Sequence, residues 1–246
     1  MLLKVCLNGA RAPGSHPQLP LTPEQLAQAA ADAVNAGAQA LHLHPRGAGG
    51  LESLAAPDVA AALLAVRAAC PGVPVGISSG FWILPDVAAQ LRAAQDWGEL
   101  APDQRPDFVS VNVHEPHAGA LTGTLLHLGI GVEAGVWTLE AVDTFLVWPE
   151  RQRALRVLIE LPDEPQAVAG PLADAMLARL EGAALTLPVV LHGQGRSTWP
   201  MVAEAGRRGL GTRVGLEDTL SLPDGALAPD NASLVRAARG VLASAR

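Results

Sequence analysis

Lysine is almost missing from this chain. Of its 17 basic residues only Lys4 is a lysine, and it lies near the start of the first strand-like segment. A Schiff-base mechanism needs a lysine in the site, and the amino end of a barrel strand faces away from the chemistry, which argues against lysine-based aldolase chemistry. Cysteine is equally scarce: Cys6 and Cys70 are the only two, too few for a disulfide framework or a thiolate metal cluster. No apolar run approaches the roughly 18 residues that cross a bilayer. The net charge of −7 comes with no arginine-rich stretch, which argues against nucleic acid as a partner. The opening MLLKVCLNGARAPG is too soon interrupted by polar residues for a secretory signal, and the expectation is a cytoplasmic protein. A GxGxxG fingerprint after the first strand is also lacking, which removes the main sign of a dinucleotide fold.

What is present is a repeated alternation within a 246-residue chain whose residues are 49% hydrophobic. Strand-like segments at Leu3–Leu7, Ala40–His44, Pro74–Ser78, Phe108–Val113, Gly131–Glu133, Leu155–Leu161, Pro188–His192 and Thr212–Glu217 alternate with alanine-rich helical ones. The helices are expected at 22–37, 56–70, 86–95, 118–128, 138–147, 171–182, 198–208 and 232–245. Thr22 is a good N-cap, Pro23 suits the first helical position and Gly37 the end. Eight such units with no linker predict one α/β domain over 1–246, a closed (β/α)8 TIM barrel. Gly193-Gln194-Gly195 after the seventh strand fits either a phosphate-binding turn or a plain tight turn.

Barrel enzymes place their chemistry at the carboxyl ends of the strands. Here those ends carry Asn8, His42 and His44, Ser78 and Ser79, Asn112, Glu133, Glu160, His192, and Glu217-Asp218. Residues two apart on a strand share a face, so His42 and His44 can both point to the mouth with Leu43 buried outside. Two histidines and a carboxylate make a common catalytic zinc shell with an open position. An isolated HxH also fits two polar residues satisfied by loop groups; the acidic Glu217-Asp218 at a nearby strand end favours the metal. His16, His114, His117 and His127 fall in loops or helices and read as solvated or structural. Arg213 shares the face of Glu217 by alternation and needs a carboxylate or an anionic ligand to offset its desolvation. Asp218 and Ser78 are the candidate partners, and a purely structural ion pair is the alternative.

Taken together, LNGARAPGSHPQLPLTPEQLA, ALHLHPR, GISSG and VGLEDTL resemble the β-keto acid cleavage enzymes, whose founding members act on 3-keto-5-aminohexanoate. The resemblance spans most of the chain in order and spacing. It implies a zinc barrel (or one holding another divalent ion) that combines a β-keto acid with acetyl-CoA and yields acetoacetate and a new acyl-CoA. It implies His42, His44 and Glu217 as metal ligands, Asp218 as the proton-transfer carboxylate, and Ser78 and Arg213 as its polar partners. Ser79 stands beside Ser78 at the same strand end. Ser110 and Asn112 match pocket-lining residues, and Glu133 an acid near the variable end of the substrate. The founding members carry glutamate where this chain has Arg11, so a substrate with a neutral polar or anionic far end is expected, unless Arg11 pairs with Glu133. After strand six they have a glycine-rich loop, where this chain has Leu161-Pro162-Asp163-Glu164-Pro165. A homo-oligomer, expected as a tetramer, is also implied. Two other readings remain: a metal-dependent hydrolase or lyase acting on a small acidic metabolite without coenzyme A, and a non-catalytic barrel that binds one.

Overall fold

A computed structural model describes residues 1–183 and 185–245. The chain opens with β1 (Leu3–Cys6), α1 (Pro23–Ala36), β2 (Ala40–Leu43), α2 (Ala56–Ala69), β3 (Val75–Ser78) and α3 (Val87–Glu99). It continues with β4 (Phe108–Asn112), α4 (Ala118–His127), β5 (Gly131–Val136), α5 (Leu139–Leu146), β6 (Arg156–Leu161) and α6 (Gln166–Gly182). The last units are β7 (Val189–Gly193), α7 (Thr198–Arg208), β8 (Thr212–Val214) and α8 (Asn231–Ser244).

All neighbouring strands pair in parallel, in the order β7-β6-β5-β4-β3-β2-β1-β8. The remaining seam is closed by a parallel bridge between Val190 and Gly211 and by the Thr212 hydroxyl, which donates to the Leu191 carbonyl at 2.8 Å. The result is a (β/α)8 barrel. Outward-facing strand residues such as Leu41, Leu43, Val109, Val132 and Ile159 are fully buried under the helices.

Local chemistry sets the elements. Thr22 and Gln25 form a reciprocal capping box at the start of α1, and Gly37 ends it with φ 115°, a left-handed turn that glycine adopts without steric cost. Four boundaries differ from the sequence reading by three or more residues, and the first is the end of α3, which runs on to Glu99. α6 begins at Gln166, with Pro171 inside it. β8 stops at Val214, because Gly215 crosses β1 so closely that a Cβ there would lie 1.9 Å from the Cys6 carbonyl oxygen. β5 runs on to Val136 instead of ending at Glu133.

That last difference moves Glu133 from the mouth into the barrel. Its carboxylate takes Lys4 Nζ at 2.5 Å, Arg156 Nε at 2.5 Å and Ser110 Oγ at 2.7 Å, with no exposure. Burial alone would raise the Glu133 pKa; the Lys4 and Arg156 charges outweigh it and hold the group well below the carboxylate range. Phe108 lies against both cations, 5.6 Å from Lys4 Nζ and 4.7 Å from Arg156 Cζ, measured to the ring centroid. A Cβ at Gly76 would meet that ring at 2.2 Å. The barrel interior below the mouth is therefore filled by an ion-paired layer around one aromatic ring.

Candidate metal centre and active site

His42 is a residue of β2 and His44 follows its end; both are almost completely buried. Asn8, just past β1, grips the His44 backbone from both sides: its Oδ1 accepts from His44 N and its Nδ2 donates to His44 O, each at 2.9 Å. The His44 ring is set by its other nitrogen, Nδ1, which donates to Glu52 Oε1 at 2.5 Å. That leaves Nε2 as the free lone pair. The two imidazoles stand edge to face, 5.2 Å between centroids.

Glu217 arrives from the turn after β8. Asp218 N donates to the Gly215 carbonyl at 2.9 Å, folding the acidic pair back over Arg213. Gly9 makes room for Glu217: it has φ 56°, and a Cβ there would lie 2.3 Å from the Glu217 side chain. Glu217 Oε1 accepts from Arg213 Nη2 at 2.7 Å. Its Oε2 has no hydrogen-bond partner and lies 3.7 Å from Nε2 of both His42 and His44.

These three residues fit a divalent ion. Their ligand atoms all fall within 4.8 Å of one another, and zinc bonds of about 2.0–2.2 Å put tetrahedral neighbours roughly 3.4 Å apart. Burial, reinforced by nearby positive charges, lowers the His42 pKa to about 3, so the ring is neutral and its lone pair available. The carboxylate of Glu217 is ionised: burial opposes this, but the permanent Arg213 charge, with a smaller contribution from Lys4, holds its pKa far below the usual range. Charge balance points the same way. Glu160, Glu217 and Asp218 surround the single Arg213 guanidinium, at 3.8, 2.7 and 2.7 Å, a buried negative surplus that a dication would neutralise.

The strand-end residues divide into two groups. His42, His44, Glu217, Ser78, Ser110, Asn112, Arg213 and Arg11 line one cavity of about 410 Å³. Asp218, Ser79 and Glu133 do not. Asp218 lies against Arg213, which donates to its Oδ1 at 2.7 and 3.1 Å, while Oδ2 is buried without a partner. Its burial, with the Glu217 charge beside it, raises its pKa in spite of Arg213. Ser79 donates to the Ser110 carbonyl at 2.9 Å and pins β3 to β4. Ser78 is not the Arg213 partner anticipated; its Oγ accepts from Gly80 N at 3.2 Å. Arg11 does not pair with Glu133 either. Its Nε donates to the Leu216 carbonyl, and among the described residues it makes no ion pair.

The sequence reading did not single out three members of the site, Trp82, Trp137 and Glu52, and named Gln194 only within a glycine turn. Trp82, Trp137 and Gln194 line the cavity, and Glu52 supports His44 from behind. Trp137 directly follows the true end of β5, four residues beyond where the strand was read to stop, and its indole N–H is buried without an acceptor among the described residues. Glu160 was read as a strand end only. It lines the cavity, accepts from Gln194 Nε2 at 2.5 Å and lies 3.2 Å from His192 Nε2; burial opposes its ionisation, yet Arg213 and His192 bring its pKa to about 2. The Gly193–Gly195 turn is a structural one. Gln194 N, Gly195 N and Arg196 N are bonded to Leu161 O, Asp218 O and Asp163 Oδ1, leaving no cradle of free amides for a phosphate.

A parallel barrel with two histidines and a carboxylate converging at its carboxyl end is an arrangement that could hold a metal ion where barrel enzymes place their chemistry. Comparison with known sequences makes the assignment specific: residues 1–145 and 152–246 match the beta-keto acid cleavage enzyme family, and the chain belongs to it. It is 26% identical over 245 residues to the 3-keto-5-aminohexanoate cleavage enzyme of Fusobacterium nucleatum subsp. nucleatum, covering 96% of this chain and 88% of that one. Among solved structures, the complex of ObcA with oxaloacetate superposes with a TM-score of 0.73 at 19% identity, over 91% of this chain and 63% of ObcA. The chain thus spans less than two thirds of ObcA. The 3-hexulose-6-phosphate synthase of Salmonella typhimurium has the same barrel, with a TM-score of 0.62 at 14% identity over the whole of both chains. Among the described residues, no helix is long and apolar enough to cross a membrane.

Proposed function

We propose that this β-keto acid cleavage enzyme is zinc-dependent and uses acetyl-CoA, exchanging acyl groups to give acetoacetate and a new acyl-CoA. The observation that carries the reading is the unpartnered Glu217 Oε2, facing Nε2 of His42 and His44 in the cavity wall. A divalent ion bound there supplies Lewis acidity toward the keto and carboxylate oxygens of a β-keto acid. Ser78, Ser110 and Asn112 line the space beside it and bind the substrate through hydroxyl and amide groups. Asp218 holds and returns the proton at Oδ2, and Arg213 fixes the opposite oxygen. Since Arg213 is on the wall and Asp218 is not, the guanidinium must give way for Oδ2 to meet substrate. Ser79 and Glu133 act through the framework, by fixing β3 to β4 and by orienting Ser110.

Among the described residues Arg11 is the cavity cation without an ion-pair partner, and an arginine can grip a carboxylate through two parallel hydrogen bonds. The preferred substrate is therefore a β-keto acid whose far end is anionic or neutral and polar. A coenzyme A partner also accords with ObcA, which has been solved with a C4-CoA adduct and oxalate.

The test is turnover of β-keto acids with cationic, neutral and anionic tails, each with and without acetyl-CoA. Acetoacetate should form only with the thioester present, and anionic or neutral polar tails should exceed 3-keto-5-aminohexanoate. Cleavage independent of acetyl-CoA would replace this reading with a hydrolase or lyase. If the amine-bearing acid proved best, the Arg11 assignment would be wrong.

A further inference from the structure

From the geometry we infer that Glu52 is a positioning residue that holds a metal ligand and the aromatic wall of the pocket as one unit, fixing His44 with one carboxylate oxygen and Trp82 with the other. This rests on the reading of His42, His44 and Glu217 as the metal site.

Glu52 is eight positions beyond His44 and returns to it through a stapled loop. Gly47 N donates to Leu51 O and Ser53 N to Pro45 O, both at 2.9 Å, and Arg46 bridges Glu52 in antiparallel fashion. Arg46 also donates to the carbonyls of Gly50 and Arg11, each at 3.1 Å, and to that of Gly9. The loop carrying Glu52 is thereby tied to the loop carrying Arg11. The Glu52 carboxylate, 13% exposed, is divided between two donors. Oε1 takes His44 Nδ1 at 2.5 Å and Oε2 takes the Trp82 indole Nε1 at 3.1 Å.

Each bond has a separate consequence. An acceptor at Nδ1 fixes the His44 tautomer and leaves Nε2 unprotonated toward Glu217. An acceptor at the indole nitrogen holds a ring that is 45% exposed and would otherwise be free to turn at the mouth. The ring lies 6.5 Å from His44 at an interplanar angle of 25°, and it covers Gly80, where a Cβ would come within 2.3 Å of it. The two donors meet different oxygens, and a carboxylate accepts at both, whereas a glutamine would present a donating NH2 at one of the two positions.

The full-length protein, freed of metal by chelation, serves for the test, with Glu52→Ala, Glu52→Gln and Trp82→Phe. Zinc affinity is measured by competition with a chromophoric chelator. The His44 tautomer is read in long-range proton–nitrogen spectra of the metal-free protein, assigned by its loss in His44→Ala. Trp82 emission is obtained by subtracting Trp82→Phe. Glu52→Ala should lower zinc affinity about 10- to 100-fold, lose the Nδ1–H signature and shift Trp82 emission to the red. Glu52→Gln is close to isosteric and covers the case in which the alanine variant does not fold; its NH2 faces either the indole N–H, which then loses its acceptor, or His44 Nδ1, which then loses its proton, so one of the two readouts should change. Trp82→Phe should keep the zinc affinity. Wild-type zinc affinity and tautomer in Glu52→Ala, or an unchanged pair of readouts in Glu52→Gln, would overturn the inference. If the wild-type protein bound no zinc, the metal reading itself would fall, and the tautomer and emission would still judge Glu52.

Discussion

At the scale of single residues, the chain's only lysine is a structural cation. Lys4 and Arg156 hold Glu133 in the barrel interior, and removing one partner of such a buried pair leaves an uncompensated charge, at a cost of about 3–5 kcal/mol. Glu133→Ala should therefore be destabilised by that order in denaturant unfolding, although Glu133 does not touch the cavity. The pH dependence has a definite sign. The folded-state pKa of Glu133 is depressed, so its contribution is fully present above the unfolded value of about 4.3 and is lost as pH falls toward the folded value. The stability gap between wild type and Glu133→Gln should be constant from pH 6 to 7 and shrink below about pH 4.3; a gap that grew on acidification would contradict the ion pair. Asp218 is a different case, because its free Oδ2 is the proposed proton site. Asp218→Asn should retain metal yet lose at least about a hundredfold in turnover. Near-full activity would place the proton elsewhere.

At the scale of elements, the turns after the strands do most to build the site. Glu217 reaches the histidines only because β8 ends early and Gly215 passes against β1. Gly215→Ala would put a methyl group where the Cys6 carbonyl lies, and an overpacked site of this kind typically costs about 1–3 kcal/mol. The same shift would carry Glu217 off its ligand position, so the variant should lose metal affinity as well as stability; normal metal affinity would show that the turn is not what sets the ligand. The elements also mark what the sequence made legible. Capping residues and apolar spacing located all eight strands and helices, because those signals are local. The HxH pattern was legible because alternation on a strand is fixed at two residues. Glu133 was misplaced because the glutamate and the following Gly135 read as a strand end, whereas β5 runs through both to Val136 and the buried partners of Glu133 come from β1, β4 and β6. Glu52 was invisible for a related reason, since nothing local in GGLESL shows that its carboxylate returns to His44.

At the scale of the whole molecule, the barrel gathers three carboxylates around one arginine at its carboxyl end and leaves two carboxylate oxygens, Glu217 Oε2 and Asp218 Oδ2, without a hydrogen-bond partner among the described residues. A site so charged should be stabilised by the divalent ion proposed for it. At a free ion concentration a hundred times Kd the gain is about 2.7 kcal/mol, roughly 5–10 °C in Tm for a domain of this size. Chelation should lower the melting temperature by that order, and His44→Ala should abolish the response. The account stands most directly on metal content. Elemental analysis of the purified protein should find one divalent ion per chain in wild type and little in His42→Ala, His44→Ala or Glu217→Gln; full metal content in both histidine variants would contradict it.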